Sequence, residues 1–250
     1  MKNNNKFRLD VWGAITLGTI ALYALFLLYP MAYLIRQSVL DPDTGGFTLA
    51  YFTKFFSKSY YFETLINSFK VSITATVLSI AIGTPLAYLF TIFKIKGKGV
   101  LNILIVVASM SAPFIGAYSW ILLLGRSGVI TTFFKNLGIA IPDIYGFGGI
   151  VLVMTLQLFP LVFLYAKGAL KNIDNSLIEA AENLGCSGIA CFFKVVVPLI
   201  MPTLLAAALL VFMRSFADFG TPMLIGEGYR TFPVVLYTEF INEVGGSDGF

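Results

Sequence analysis

Asp174-Asn175-Ser176-Leu177-Ile178-Glu179-Ala180-Ala181-Glu182-Asn183-Leu184-Gly185 is a polar island in an apolar chain. Asp174, Asn175 and Ser176 are all able N-terminal caps, because a short polar side chain can accept from the free N–H groups of a first helical turn. Glu179 and Glu182 fall early in the segment, where a helix dipole favours negative charge. Gly185 suits a left-handed C-terminal cap. The pattern predicts a helix of two to three turns, too short and too polar to bury itself. A second helical piece, 189–197, then runs into Pro198. The small side chains of Ala180 and Ala181 leave a low-relief surface, suited to docking in a groove of another protein.

On both sides of this island the chain turns apolar. The 250 residues are 58% hydrophobic and 12% charged, with a mean hydropathy of +0.85. Soluble domains run at about 45–50% apolar and about 25% charged. Seventeen Lys and Arg and thirteen Asp and Glu are too few to coat a 27.4 kDa globule, so lipid is the expected solvent. The chain has no His, which removes imidazole metal sites and Ser-His or Cys-His nucleophile pairs. Cys186 and Cys191 make neither a disulfide framework nor, at that spacing, a metal site. No catalytic constellation and no resident metal site are expected. The basic residues are scattered rather than gathered on one face, which argues against a nucleic-acid partner.

A hydrocarbon core about 30 Å thick needs roughly 20 apolar residues per helix. Five runs qualify: Trp12–Ile35, Leu65–Phe93, Val100–Leu124, Gly149–Ala166 and Leu199–Ile225. The first is too long for the apolar part of a signal peptide. In the second, Ala75, Ser79, Gly83 and Ala87 recur every four residues, a small-residue face on which another helix can pack closely. With the N-terminus in the cytoplasm, segments 1–10, 94–99 and 167–198 carry nine Lys or Arg in 48 positions; the opposite segments carry six in 78. The positive-inside rule therefore places the N-terminus and the 167–198 loop in the cytoplasm. The fold expected is an all-α, polytopic integral membrane bundle. The stretch after Gly226, ending in Gly245-Gly246-Ser247-Asp248-Gly249-Phe250, reads as a loop awaiting a sixth span, and 1–250 as a transmembrane domain truncated before its last helix.

Glu179-Ala180-Ala181, three residues, Gly185, nine residues, then Val195-Val196-Val197-Pro198 resembles the EAA loop of binding-protein-dependent ABC transporter permeases. Val stands where that pattern has Ile and Leu. The resemblance implies an ABC importer permease fold in a bacterial inner membrane. Glu179, Ala180, Ala181, Gly185 and Pro198 would then belong to a segment that seats in a separate ATPase. It also implies a dimer of ATPase subunits, a second permease half or copy, and an external or periplasmic substrate-binding protein. ATP and Mg²⁺ would be held by the partner ATPase: this chain has no Gly-x-x-x-x-Gly-Lys-Ser/Thr, and its Gly97-Lys98 is followed by Gly99.

Arg214-Ser215-Phe216-Ala217-Asp218-Phe219-Gly220-Thr221-Pro222, Gly226-Glu227-Gly228-Tyr229-Arg230-Thr231-Phe232-Pro233 and Pro113-Phe114-Ile115-Gly116-Ala117-Tyr118-Ser119-Trp120 are similar to ferric-iron uptake permeases. Polyamine, thiamine, sulfate and aminoethylphosphonate permeases share related stretches. Arg214 and Asp218 stand out physically, since a charge at membrane depth costs at least about 2.5–3.5 kcal/mol and marks a functional site by default. Four residues apart on one span, they read either as a self-neutralising pair, or with Arg214 paired to another subunit, or as the lining of a translocation route, with Gln157, Tyr118 and Ser119 as further candidates. Arg214 suits an anionic or carboxylate-chelated cargo and Asp218 a cationic polyamine. A secondary transporter is the rival class, but it calls for charges over several spans and inverted repeats.

Overall fold

The computed structural model describes residues 11–41, 45–93, 96–110, 112–139, 142–186 and 188–242. Lys2, Lys6, Arg8, Lys94, the glycine-rich end 245–250 and the side chain of Glu182 lie outside the described set. The chain divides into two compact units, 1–59 and 60–249. Secondary structure among the described residues is helical, with one isolated antiparallel bridge, Leu40 to Phe47.

The first unit holds α1 (Val11–Ser38) and α2 (Ala50–Ser57). About three and a half turns into it, α1 widens to a π-helical turn at Ala24–Leu28, where the Tyr29 N–H reaches back to the Ala24 carbonyl. Pro30 follows at once. A proline ring clashes with the carbonyl four residues earlier and supplies no N–H, and the extra residue in the turn accommodates both defects without ending the helix.

The second unit contains α3 (Ser59–Ile92), α4 (Lys98–Ser109), α5 (Pro113–Leu124), α6 (Val129–Asn136) and α7 (Phe147–Lys171). It continues with α8 (Asn175–Asn183), α9 (Gly188–Phe216), α10 (Gly220–Ile225) and α11 (Phe232–Asn242). By length and composition five stretches are fit to cross a membrane: α1, α3, α7, α9, and α5 with α6 taken together as Pro113–Asn136.

At the centre stands α7. Its Ile150, Val153, Met154, Val162, Phe163 and Ala166 are at most 1% exposed, and it packs on α9, α4, α10 and α5. Ala75, Ser79 and Ala87 of α3 are fully buried, as the small-residue face predicts. A Cβ on Gly83 would stand 2.9 Å from the Phe159 carbonyl oxygen and 2.9 Å from the Val162 Cβ. Close approach of α3 to α7 at that level therefore requires glycine.

Three expectations are corrected. The run 100–124 is not one span: it divides into α4 and α5, each of 12 residues and about 18 Å long, too short to cross alone. Pro113, as the first residue of α5, cannot continue the hydrogen-bond ladder of α4. The run 199–225 is likewise divided, because α9 ends at Phe216 and α10 begins at Gly220. Asp218 therefore lies in a break rather than on a span. Thirdly, the stretch after Gly226 is not all loop, since Phe232–Asn242 forms α11.

Candidate functional site

Two features carry the chemistry, one at the Lys171 end of α7 and one at its mid-height. At the Lys171 end the polar island folds as its caps dictate. The Asp174 Oδ1 accepts from the Ser176 N–H at 3.0 Å, and the Asp174 carbonyl accepts from the Leu177 N–H at 3.1 Å. Those two hydrogen-bond donors of Ser176, backbone first, hold the Asp174 carboxyl below its usual range. At the other terminus Gly185 takes φ +85°. The Cys186 N–H then bonds the Ala181 carbonyl at 3.0 Å, the 6→1 bond of a Schellman closure, after the ordinary helical bond of the Leu184 N–H to the Ala180 carbonyl at 3.2 Å. Glu179 is the fifth residue of α8 and lies beyond its first turn, so the negative charge that complements the dipole is that of Asp174.

Glu179 and Ala180 are exposed, Ala181 is half-buried, and Ile178 turns inward onto the core. Leu177, Leu184 and Ile189 are 50%, 88% and 77% exposed. The segment thus presents a small polar helix flanked by unburied apolar side chains. After it, α9 carries a second π-helical turn at Phe192–Val196, with the Val197 N–H bonded to the Phe192 carbonyl and Pro198 next in sequence. The arrangement repeats that before Pro30 and has the same cause.

The second feature is a cavity of about 510 Å³. Gln157 and Leu158 contribute to it from α7. Gln157 is ten residues into that 25-residue helix, about 15 Å from its start and so near the middle of a bilayer. Both helix breaks open onto the same space: Ser109 ends α4 and Pro113 and Phe114 begin α5, while Arg214, Ala217, Asp218 and Phe219 frame the end of α9. Non-helical backbone at membrane depth is tolerated where it lines a cavity or is buried in protein, and discontinuous helices mark substrate sites in many transporters. Gly220 lets α10 sit against α5, for a Cβ there would lie 3.2 Å from the Phe114 ring.

The two charged residues of this cavity behave differently. The Asp218 Oδ1 accepts from the Gly220 N–H at 2.9 Å and the Thr221 N–H at 3.4 Å, and the Oδ2 from the Thr221 hydroxyl at 2.6 Å. It is the N-terminal cap of α10. Arg214, in the last turn of α9, is exposed to the cavity. Its guanidinium has no ion pair or hydrogen bond among the described residues. The self-neutralising pair is therefore not formed. Among the other candidates, Gln157 lines the cavity, whereas Tyr118 and Ser119 are not among its described lining residues. Ser119 is exposed and donates back to the Ile115 carbonyl at 2.8 Å.

Sequence reasoning missed a third cluster, at the Phe147 end of α7. The Arg126 Nε donates to Asp143 at 3.0 Å and its NH2 lies 2.8 Å from the Glu227 Oε1. The same guanidinium covers the Tyr145 ring at 4.7 Å, and the Gly146 N–H bonds the Ile225 carbonyl at 2.8 Å. These contacts tie three connecting segments together. Scattered charges at the ends of apolar runs were the available signal, but nothing in their spacing pairs positions 126, 143 and 227.

Comparison with known proteins agrees with this architecture. Two solved structures of a bacterial alginate ABC transporter are similar in fold. One, in complex with its alginate pentasaccharide-bound periplasmic protein, gives a TM-score of 0.75 at 16% identity, covering 93% of this chain and 83% of that one. The other gives 0.69 at 17% identity, covering 99% and 86%. A putative ferric transport system permease protein of Haemophilus influenzae is 28% identical over 220 residues, 87% of this chain and 34% of the relative. The spermidine/putrescine transport system permease protein PotB of the same organism is 28% identical over 232 residues, 89% of this chain and 79% of the relative. The chain thus spans about a third of the length of the ferric relative it matches. Residues 46–245 match the family described as binding-protein-dependent transport system inner membrane component, and the chain belongs to that family.

Proposed function

We propose that this chain is the permease subunit of an ATP-driven importer, receiving cargo from an external binding protein and releasing it to the cytoplasm, with ferric iron as the cargo metal. The observation that carries the reading is α8: a nine-residue helix, capped at both ends, set between two membrane-length helices, with Glu179 and Ala180 outward. A rigid, low-relief helix at the cytoplasmic end of the bundle is what an ATPase dimer needs as a handle. Nucleotide-driven closure of that dimer would displace α8, and the π-helical start of α9 would convey the movement toward the cavity. ATP and Mg²⁺ would be bound by the ATPase, so no hydrolytic role falls to this chain. The N-terminus and α8 face the cytoplasm in this reading, in keeping with the distribution of Lys and Arg. A second permease half or copy would complete the route.

Ferric cargo is supported by the ferric permease relatives. A polyamine cargo is the second reading, supported by PotB, of which the match spans 79%. Glu179→Lys and Gly185→Asp test the coupling role. Each is expected to abolish binding-protein-dependent uptake of labelled ferric iron while the subunit still inserts, and to reduce co-purification of the ATPase. Wild-type uptake rates in both variants would refute it. Uptake of labelled putrescine in place of ferric iron would select the second reading.

A further inference from the structure

The mid-height cavity holds a cation with no ion pair among the described residues. Its polar lining consists of Ser109, Gln157, Arg214 and Asp218. The Ser109 hydroxyl donates to the Val106 carbonyl at 2.6 Å, and Gln157 also has an interaction partner. The Asp218 carboxylate accepts three hydrogen bonds, all from α10. Both its oxygens are engaged in holding the break between α9 and α10, so its charge is dispersed over local donors. The Arg214 guanidinium is the one charged group of the lining without a partner among the described residues. It is placed where α9 ends, and apolar side chains, Phe114, Leu158 and Phe219, make up much of the remaining wall. A cation at membrane depth with no ion pair among the described residues of its own chain marks a substrate pathway by default, and oxyanions carried by the ligand would supply its counter-charge. Guanidinium is the side chain best fitted to that task, since its planar fork binds carboxylate or phosphate oxygens two at a time and keeps its charge throughout the physiological range.

We infer that Arg214 selects an oxyanion-bearing cargo: the species that crosses the cavity presents carboxylate or phosphate oxygens to this guanidinium, and a ferric ion passes with such oxyanions bound rather than as a bare cation. The inference rests on the permease reading above and narrows it. A polyamine would bring further positive charge against Arg214, and the carboxylate of the same lining is committed to Gly220 and Thr221. A trivalent metal ion stripped of anionic ligands meets the same repulsion. Carried by citrate or phosphate, the same ion offers the oxygens that the Arg214 fork matches.

The test uses the complete transporter, assembled with its ATPase in proteoliposomes, with the external binding protein and ATP on the appropriate sides. Three labelled probes are supplied separately: ferric citrate, ferric iron with phosphate, and putrescine. The wild type is expected to import at least one ferric complex and not putrescine, the better ferric probe identifying carboxylate or phosphate as the oxyanion. Arg214→Gln is expected to slow that import by about tenfold or more, as loss of a charge-assisted hydrogen bond requires. Arg214→Lys keeps the charge and should remain within a few-fold of wild type, with a raised KM. Equal ferric uptake by wild type and Arg214→Gln overturns the inference, as does putrescine import by the wild type. Should Arg214→Gln fail to assemble, Arg214→Lys decides: complete loss of ferric import in that variant, assembled normally, counts against an electrostatic role. Stimulation of ATP hydrolysis by the binding protein without import of either ferric complex overturns the inference while leaving the permease reading intact. Absence of both stimulation and uptake in the wild type refutes the permease reading itself.

Discussion

Asp218 and Thr221 are joined by a 2.6 Å hydrogen bond from the threonine hydroxyl to the carboxylate Oδ2, and this bond explains why Asp218 is not the partner of Arg214. The sequence places Arg214 and Asp218 four residues apart, the spacing of an ion pair on one helix face. The helix ends at Phe216, and beyond it the carboxylate turns to the free N–H groups of the next helix. A helix N-terminus and a threonine hydroxyl together satisfy a carboxylate well. They leave the arginine to the cavity.

Substitution separates the capping role of Asp218 from a charge role. Asp218→Ala should destabilise the folded subunit by about 1 kcal/mol, the usual cost of losing a cap. Asp218→Asn should recover most of that, because the amide oxygen still accepts from Gly220 and Thr221. Thermal unfolding in detergent measures the first effect and uptake the second. A stable Asp218→Asn that cannot transport would show that the charge itself acts on the cargo.

Gly185 closes α8 with φ +85°, and nothing lies within 4 Å of a Cβ built there. The strain of any other residue is thus in the backbone alone. Gly185→Ala should cost about 1–2 kcal/mol, the penalty of the left-handed conformation for an L-residue. Gly185→Asn should cost less, since asparagine tolerates that region. Amide exchange at Leu184 and Cys186 reports the fraying, and binding of the ATPase should weaken in the same order. An unchanged exchange rate in Gly185→Ala would argue against the Schellman closure as the force holding this terminus.

Much of this architecture is legible in the sequence, for physical reasons. Capping is local chemistry, so Asp174 and Gly185 could be recognised from a dozen residues. The small-residue face of α3 was visible because helical periodicity maps 75, 79, 83 and 87 to one side. The two helix breaks were not visible. Hydropathy is blind to them, as the run 100–124 stays apolar on average, the run 199–225 does so despite Arg214 and Asp218, and Pro113 is as compatible with a kink as with a new helix. Their position at mid-height of α7 is a tertiary fact. So is the cluster of Arg126, Asp143 and Glu227, which spans 101 residues of sequence.

The cap of α8 should respond to acid. Asp174 is held below its ordinary value by hydrogen bonds from Ser176. A depressed carboxyl stabilises the fold at pH above its unfolded-state value, and that contribution is lost as pH falls through the folded-state value. The start of α8 should therefore loosen only below the usual aspartate range, about pH 4, and remain capped at neutral pH. Asp174→Asn, which caps without titrating, should abolish the acid response at this site. Exchange of the Ser176 and Leu177 amides as a function of pH is the measurement. Equal acid sensitivity in Asp174→Asn would assign the transition to another group.

The cluster around Arg126 provides the last expectation. Its side chain is 62% exposed, and those of Asp143 and Glu227 are 45% and 51% exposed, so solvent screens each pair and neither should exceed about 1 kcal/mol. The geometry nevertheless has a purpose, since one guanidinium holds two acids from different segments and covers Tyr145. Glu227 also adopts φ +48°, a conformation costly for a residue with a Cβ. A strained residue persists where its surroundings hold it in place; the Tyr229 N–H bond to the Gly226 carbonyl at 2.7 Å closes the turn around Glu227, and the ion pair to Arg126 adds to that constraint. Arg126→Met should therefore raise amide exchange at Glu227 and Gly228 as well as at Tyr145, with little change in overall stability. A double-mutant cycle between Arg126→Met and Glu227→Gln should give a coupling of about 0.2–1 kcal/mol that shrinks in high salt. Zero coupling at low salt would reduce the cluster to a coincidence of surface charges, with Gly146 and Ile225 alone tying these segments together.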